Sequence, residues 1–229
     1  HLFKSLFKDG NQWGIRISYE EQPSPGGLAQ AFIIGRKFIG KDGVCLILGD
    51  NVFYGDSLVG LMGRARKRGK GATIFGYRVK DPQNYGVAEF NSKGNVIKLV
   101  EKPKNPKSNY AITGLYFYDN QVIDIAANLK PSNRGELEIT DVNKVYLKNK
   151  SLELETMGPG FAWLDTGSHD SLLAASNFIE TIESRQGLKI CCPEEISYKA
   201  GWITAKKLKN LALPLKNNGY GQYLLNLIR

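Results

Sequence analysis

Val44-Cys45-Leu46-Ile47-Leu48-Gly49-Asp50-Asn51 is the stretch whose reading decides the fold. Five apolar residues run unbroken from Val44 to Leu48, between Gly43 and Gly49. That is the pattern of a short strand buried on both faces, as in a parallel sheet. The run stops on a carboxylate and a carboxamide. In open α/β sheets, ligands bind beyond the carboxyl ends of the strands. A hard oxygen ligand there, beside a glycine that lets backbone approach, suits Mg2+ held against a phosphate. Gly-Asp-Asn is also an ordinary turn sequence, so its meaning depends on the rest of the chain.

Phe161-Ala162-Trp163-Leu164-Asp165-Thr166-Gly167 repeats the theme of an apolar strand, an aspartate and a turn, and a helix is expected from Ser168 to Arg185. Upstream, Glu21 to Gln30 holds two prolines and two glycines, a rigid loop opening a helix over Leu28 to Phe38. Such a loop cradles anions or a flat base against backbone, though it is equally a turn with a helix cap. It is neither a dinucleotide fingerprint nor a P-loop. Alternation at Ile15 and Ile17 predicts a short strand to Tyr19. Ala72–Val79, Tyr110–Tyr118 and Leu152–Met157 read as further strands, and 84–90 with 96–103 as a hairpin about the turn 91–95. The hairpin ends in Glu101-Lys102-Pro103, where proline stops the strand and leaves a carboxylate and a cation side by side. Helices are expected over Asn120–Leu129, after Asp141, and near Pro193, Thr204 and Gly219.

The chain has 229 residues, 42% hydrophobic and 23% charged, enough for one large or two small globular domains. No apolar stretch approaches the roughly 18 residues of a membrane span. Three cysteines give neither a disulfide framework nor a metal-ligand spacing, which points to a reducing, cytoplasmic setting. The net charge of +9 raises nucleic acid as a partner. The densest basic run, Arg64 to Lys70, follows Leu58, Leu61, Met62 and Ala65 at helical spacing, so its cations complement a helix C-terminus. With no aromatic ladder and no binding motif, nucleic acid is set aside; a basic surface also attracts small phosphorylated molecules. His169 reads as structural, and no Ser-His-Asp or Cys-His set is present.

Seven motifs occur in order: 21–31 (Glu-Gln-Pro-Ser-Pro-Gly-Gly-Leu-Ala-Gln-Ala), 48–51 (Leu-Gly-Asp-Asn), 84–87 (Asn-Tyr-Gly-Val), 101–103 (Glu-Lys-Pro), 113–118 (Thr-Gly-Leu-Tyr-Phe-Tyr), 134–141 (Arg-Gly-Glu-Leu-Glu-Ile-Thr-Asp) and 162–167 (Ala-Trp-Leu-Asp-Thr-Gly). Together they resemble the glucose-1-phosphate thymidylyltransferases, sugar nucleotidyltransferases that open the dTDP-L-rhamnose pathway. The resemblance runs from about Trp13 to the C-terminus. It implies an α/β, Rossmann-like nucleotide-diphospho-sugar transferase fold, with a mixed, mostly parallel sheet flanked by helices. Residues 1–187 would form the nucleotidyltransferase core and 188–229 a C-terminal helical segment of the same domain. The family also carries a strand and a Gly-x-Gly-Thr-Arg loop ahead of the point where this sequence starts; a polypeptide lacking them is expected to lose half of the triphosphate site and its activity.

The resemblance implies a reaction of dTTP with glucose 1-phosphate, giving dTDP-glucose and pyrophosphate with Mg2+. Gln22 and Gly27 would meet the thymine, Asp50 and Asn51 would belong to the nucleotide site, and Asp50 and Asp165 would hold the metal. Gly86, Glu101 and Ile112 would surround the glucose, with Ile112 standing where the family commonly has Val. Lys102 and Arg134 would hold the sugar phosphate, and Asp50, Lys102, Arg134 and Asp165 together would carry catalysis. A homotetramer is implied, with product inhibition weakened because Pro159 and Lys199 stand where relatives often carry Arg. Three alternatives stay open: a UTP-using relative, a metal-dependent glycosyltransferase, and a nucleotide-sugar-binding or inactive truncated form. A glycosyltransferase would normally show Asp-x-Asp, whereas this chain has Gly49-Asp50-Asn51.

Overall fold

The computed structural model describes residues 2–229. In chain order, helices α1 (Leu2–Phe7), α2 (Gln30–Ile34) and α3 (Arg36–Ile39) precede strands β1 (Val44–Ile47) and β2 (Asn51–Tyr54). Helix α4 (Leu58–Arg68) leads to β3 (Ala72–Arg78), β4 (Gly86–Phe90), β5 (Val96–Glu101) and β6 (Tyr110–Tyr118). Next come α5 (Val122–Ala127), α6 (Ile139–Lys148), β7 (Leu152–Met157), β8 (Ala162–Asp165) and α7 (His169–Gln186). Helices α8 (Pro193–Lys199), α9 (Ala205–Ala212) and α10 (Gly219–Asn226) follow. The chain divides into two compact units, one of Gln22–Ala175 and one joining the residues up to Glu21 with Ser176–Arg229.

The larger unit is built on β6, nine residues rich in β-branched and aromatic side chains and almost wholly buried. β1 and β3 lie antiparallel on its two edges, with Val44 and Ala72 both in register with Tyr118. β7 adds parallel to β3, while the β4–β5 hairpin joins β6 at Ala111. β1, β3, β4 and β7 therefore share one direction and β5 and β6 oppose it, so the α/β class with a mixed sheet, mostly of one direction, is borne out.

Side chains two residues apart on a strand share a face, and the two faces of the sheet bury different sets. Ile74, Tyr116 and Tyr118 pack with Phe32, Val122, Val142 and Tyr146. Phe75, Leu115 and Met157 pack under Leu61 and Ala65 of α4. Removing a fully buried ring such as Phe75 costs about 3–5 kcal/mol in stability. The basic run of α4 is spent partly inside this unit. Arg64 and Arg68 reach Glu155 on β7 at 3.2 and 2.6 Å. Partial burial works against the Glu155 charge, but the two arginines outweigh it and hold the carboxyl below its ordinary range.

Three expectations change. Strand β1 forms but is covered on one face only: Cys45 and Ile47 are exposed, Ile47 by 56%. An apolar run says that a strand is hydrophobic, not that both sides are covered. The helix expected from Leu28 to Phe38 is broken into α2 and α3 at Gly35, the residue least costly to remove from a helix. Ile15–Tyr19 forms no strand; its alternation meets no ladder partner among the described residues.

In the smaller unit, Ile203, Leu208, Ala212 and Leu224 gather with Cys192 in a core shared by α8, α9 and α10. Thr204 and Asn218 cap α9 and α10 by accepting the backbone N–H groups of Lys207 and Gly221. Tyr220 donates to Glu194 and Tyr223 to Glu195, so the carboxylates opening α8 are tied to α10. Among the described residues no helix is long and apolar enough to cross a membrane.

Candidate active site

Asp50 and Asp165 are brought together by the two-stranded ribbon of β2 and β8, in which Asn51 lies directly opposite Asp165. The backbone carbonyl of Asp50 accepts two hydrogen bonds from Thr166, through N–H and Oγ1–H, both at 2.8 Å. Gly167 donates its N–H to Asp165 Oδ1 at 3.0 Å. A Cβ built on Gly167 would stand 3.1 Å from Asp165 Oδ1 and 4.0 Å from Asp50 Oδ2, so both carboxylates face one small space. Two like charges so placed repel each other unless a cation lies between them. The donor set is hard oxygen, and two carboxylates with room for phosphate oxygens is how Mg2+ is usually held. The residues present fit the metal.

The basic side is made differently. Glu101 closes β5 opposite Gly86 and accepts a 2.5 Å hydrogen bond from Thr140 Oγ1. A side chain at residue 86 would crowd that same pair, at 3.1 Å from Thr140 Oγ1 and 3.3 Å from Glu101 Oε2. Lys102 adopts φ +40°, with its N–H donated to Tyr85 O at 3.0 Å. A left-handed lysine before a proline is doubly disfavoured, at a cost on the order of 1 kcal/mol or more. Arg134 lies within a Ser132–Gly135 turn closed by a 2.8 Å bond, with Gly135 at φ +79°. Its Nη2 meets both oxygens of Glu138 at 2.9 Å, and Glu136 and Glu101 stand 3.5 and 3.9 Å away. The hydrogen bond to Glu138 raises the Arg134 pKa further and keeps its charge in place.

The loop 22–30 is stitched to the chain just before α6. Leu137 N–H donates to Gly26 O, and Ala29 N–H donates to Leu137 O. Gly27, at φ +98°, would drive a Cβ to 2.5 Å from Leu137 O, so only glycine fits. Gln22 Nε2 donates to Gln30 Oε1 at 2.7 Å and to Gly27 O at 3.3 Å, which puts the two expected base-contacting residues side by side.

One cavity of about 310 Å³ is lined by Asn51, Gly86, Glu101, Lys102, Ile112, Arg134 and Asp165. Asp50, Gln22 and Gly27 are not in its wall; Leu28, next to Gly27, is. Sequence reasoning passed over Thr140, Tyr85 and Trp163, which also line it. Trp163 was within reach, since it sits two residues before Asp165 on one strand and so shares its face. Its ring packs 5.0 Å from that of Tyr85. Burial raises the Tyr85 hydroxyl pKa, and the charges of Asp165 and Asp81 push it the same way.

A family model described as nucleotidyl transferase matches residues 1–182. The chain belongs to the nucleotidyl transferase family, among the glucose-1-phosphate thymidylyltransferases. A relative of that name from Xanthomonas campestris pv. campestris (strain B100) is 59% identical over 228 residues, all of this chain and 77% of the relative. One from Neisseria meningitidis serogroup A is 53% identical, over 99% of this chain and 79% of its own length. Among solved structures, a Bacillus anthracis protein described as a glucose-1-phosphate thymidylyltransferase, in complex with sucrose, superposes with a TM-score of 0.69. It is 39% identical and covers 76% of this chain and 70% of its own. A UDP-glucose pyrophosphorylase complexed with UDP-glucose gives 0.63 at 25% identity, over 72% and 66% of the two chains. This nucleotidyltransferase is thus a sugar nucleotidyltransferase, which removes the glycosyltransferase alternative.

Proposed function

We propose that this nucleotidyltransferase transfers a thymidylyl group from dTTP to glucose 1-phosphate, forming dTDP-glucose and pyrophosphate with Mg2+. The observation that carries the reading is a cavity lined by Asp165, Lys102 and Arg134, with the Asp50 carboxylate beside that of Asp165 at Gly167. Lys102 and Arg134 hold the sugar phosphate and offset the repulsion between two polyanions. Glu101, Gly86 and Ile112 surround the glucose, with Thr140 fixing the Glu101 carboxylate. Gln22 and Gly27 read the base. A phosphate oxygen of the sugar phosphate, ionised at neutral pH, forms the new bond to the α-phosphorus; the bond from that phosphorus to the pyrophosphate oxygen breaks in line. Asp50 and Asp165 would hold Mg2+, which would neutralise charge on the transferring nucleotidyl phosphate.

The same reading makes this the first step toward dTDP-L-rhamnose, in a cytoplasmic homotetramer, with product inhibition weakened by Pro159 and Lys199. A tetramer by light scattering would support the assembly, and a monomer would refute it. The likeness to a UDP-glucose pyrophosphorylase favours trying UTP as well. Pyrophosphate release is the deciding assay: with a polypeptide that carries the family's Gly-x-Gly-Thr-Arg loop, dTTP and glucose 1-phosphate should give stoichiometric pyrophosphate and dTDP-glucose inverted at the α-phosphorus. No release from dTTP, or release from UTP alone, would overturn the proposal.

A further inference from the structure

Asn51 carries more contacts than a nucleotide ligand needs. Its carboxamide lies at the junction of three pieces of backbone. Oδ1 accepts the N–H of Gly114 on β6 at 2.9 Å and the indole N–H of Trp163 on β8 at 2.6 Å. Both partners can only donate, so the atom facing them must be the oxygen, and chemistry settles the orientation of the amide. The nitrogen is thereby turned toward Asp50, where Nδ2 donates to Oδ1 at 2.8 Å. That leaves Oδ2 as the Asp50 oxygen facing the space shared with Asp165. The fit around the amide is close: a Cβ on Gly114 would stand 2.5 Å from Asn51 Oδ1 and 2.8 Å from Leu48 Cβ.

We propose that Asn51 is a positioning residue, whose carboxamide, oriented by Gly114 and Trp163, holds the Asp50 carboxylate with one oxygen turned to Asp165. This rests on the reading of Asp50 and Asp165 as the metal-holding pair. Both lone pairs of the Asn51 oxygen are already used, and one of its two N–H groups is given to Asp50; a single N–H remains for any ligand. The nucleotide role expected for Asn51 thus becomes an indirect one, acting through Asp50. Aspartate at this position could still accept from Gly114 and Trp163, but it would present an oxygen instead of an N–H to Asp50 and turn an attraction into a repulsion.

The test is Mn2+ binding to the full chain, followed by electron paramagnetic resonance of the free ion, with the melting temperature as a check on folding. Asn51→Ala should weaken Mn2+ binding about tenfold, the loss of one hydrogen bond to a charged group. Asn51→Asp, which keeps the acceptor and its shape, should bind Mn2+ no more tightly than the unaltered protein despite the added negative charge. Unchanged affinity in a folded Asn51→Ala protein, or tighter binding in Asn51→Asp, would overturn the proposal. If the Ala variant does not fold, the Asp variant decides. Failure of the unaltered chain to bind Mn2+ would sink the metal reading and this inference together, whereas binding that neither variant weakens would sink the inference alone. Pyrophosphate release, measured separately, decides the reaction.

Discussion

The aspartates and the cations of the site are held by opposite means. The acidic side is fixed by main chain: Asp50 through its carbonyl to Thr166, and Asp165 through its carboxylate to the Gly167 N–H. The basic side is held by strain and by other side chains, with Lys102 at a left-handed φ and Arg134 gripped by Glu138. Backbone bonds survive most substitutions, so the acidic corner is a rigid reference point. The basic corner is a balance of charges in which, on the proposed reading, an arriving phosphate would compete with Glu138, Glu136 and Glu101 for one guanidinium. The carboxylates keep Arg134 in place before substrate binds, at the cost of some attraction for it.

The most damaging way to break this contrast is on the acidic side. Asp50→Asn or Asp165→Asn should lower turnover by at least about 10²-fold, on the scale of losing one strong electrostatic stabiliser of a transition state. The melting temperature should hold, because the backbone bonds remain. Turnover within a factor of a few, with the same Mg2+ dependence, would show these aspartates to be structural. On the basic side, Lys102→Ala should raise the KM for glucose 1-phosphate about tenfold and leave that for dTTP nearly unchanged, as expected for loss of one charged hydrogen bond. A weakened dTTP alone would assign Lys102 to the wrong substrate. Lys102→Gly should lose the same affinity yet be the more stable of the two, since glycine relieves the left-handed strain; denaturant midpoints decide this.

A smaller effect sharpens the comparison. Glu138→Gln removes the charge of the nearest of the three carboxylates facing Arg134 while keeping a hydrogen-bond acceptor. Its net effect on the KM for glucose 1-phosphate should stay within about threefold, because looser positioning and a freer cation oppose each other. A tenfold change in either direction would mean that one of the two dominates. The change should shrink as salt is added, since Arg134 is partly exposed.

Much of this was legible from residue order. Tyr110–Tyr118 and Leu152–Met157 form strands with the bounds that their apolar and β-branched runs predict. Both lie inside the sheet, where local pattern and tertiary demand agree. The ribbon strand β2 was missed because Asn51-Val52-Phe53-Tyr54 is too short to announce itself and its partner lies far along the chain. Cys45 and Ile47 misled for the opposite reason, since hydrophobicity reports what a strand prefers and not what covers it. The candidate site residues come from ordered motifs, and most of them line one cavity. The Thr140 bond to Glu101, the Asn51 bond to Asp50 and the Glu138 grip on Arg134 were hidden because hydrogen-bond partners chosen by tertiary folding leave no periodic signal.

The β2–β8 ribbon has a consequence for the time course of folding. Asn51 and Trp163 are 112 positions apart, yet the acidic corner exists only once their strands have paired. Closing so long a loop is entropically slow and is repaid late, after the local hairpin of β4 and β5 can already stand. During refolding from denaturant, far-ultraviolet dichroism should therefore recover before the Trp163 fluorescence, read in a variant with Trp13→Phe and Trp202→Phe, and Mn2+ binding should return with the fluorescence. Coincident recovery of all three signals would show instead that the ribbon closes in the same step as the sheet.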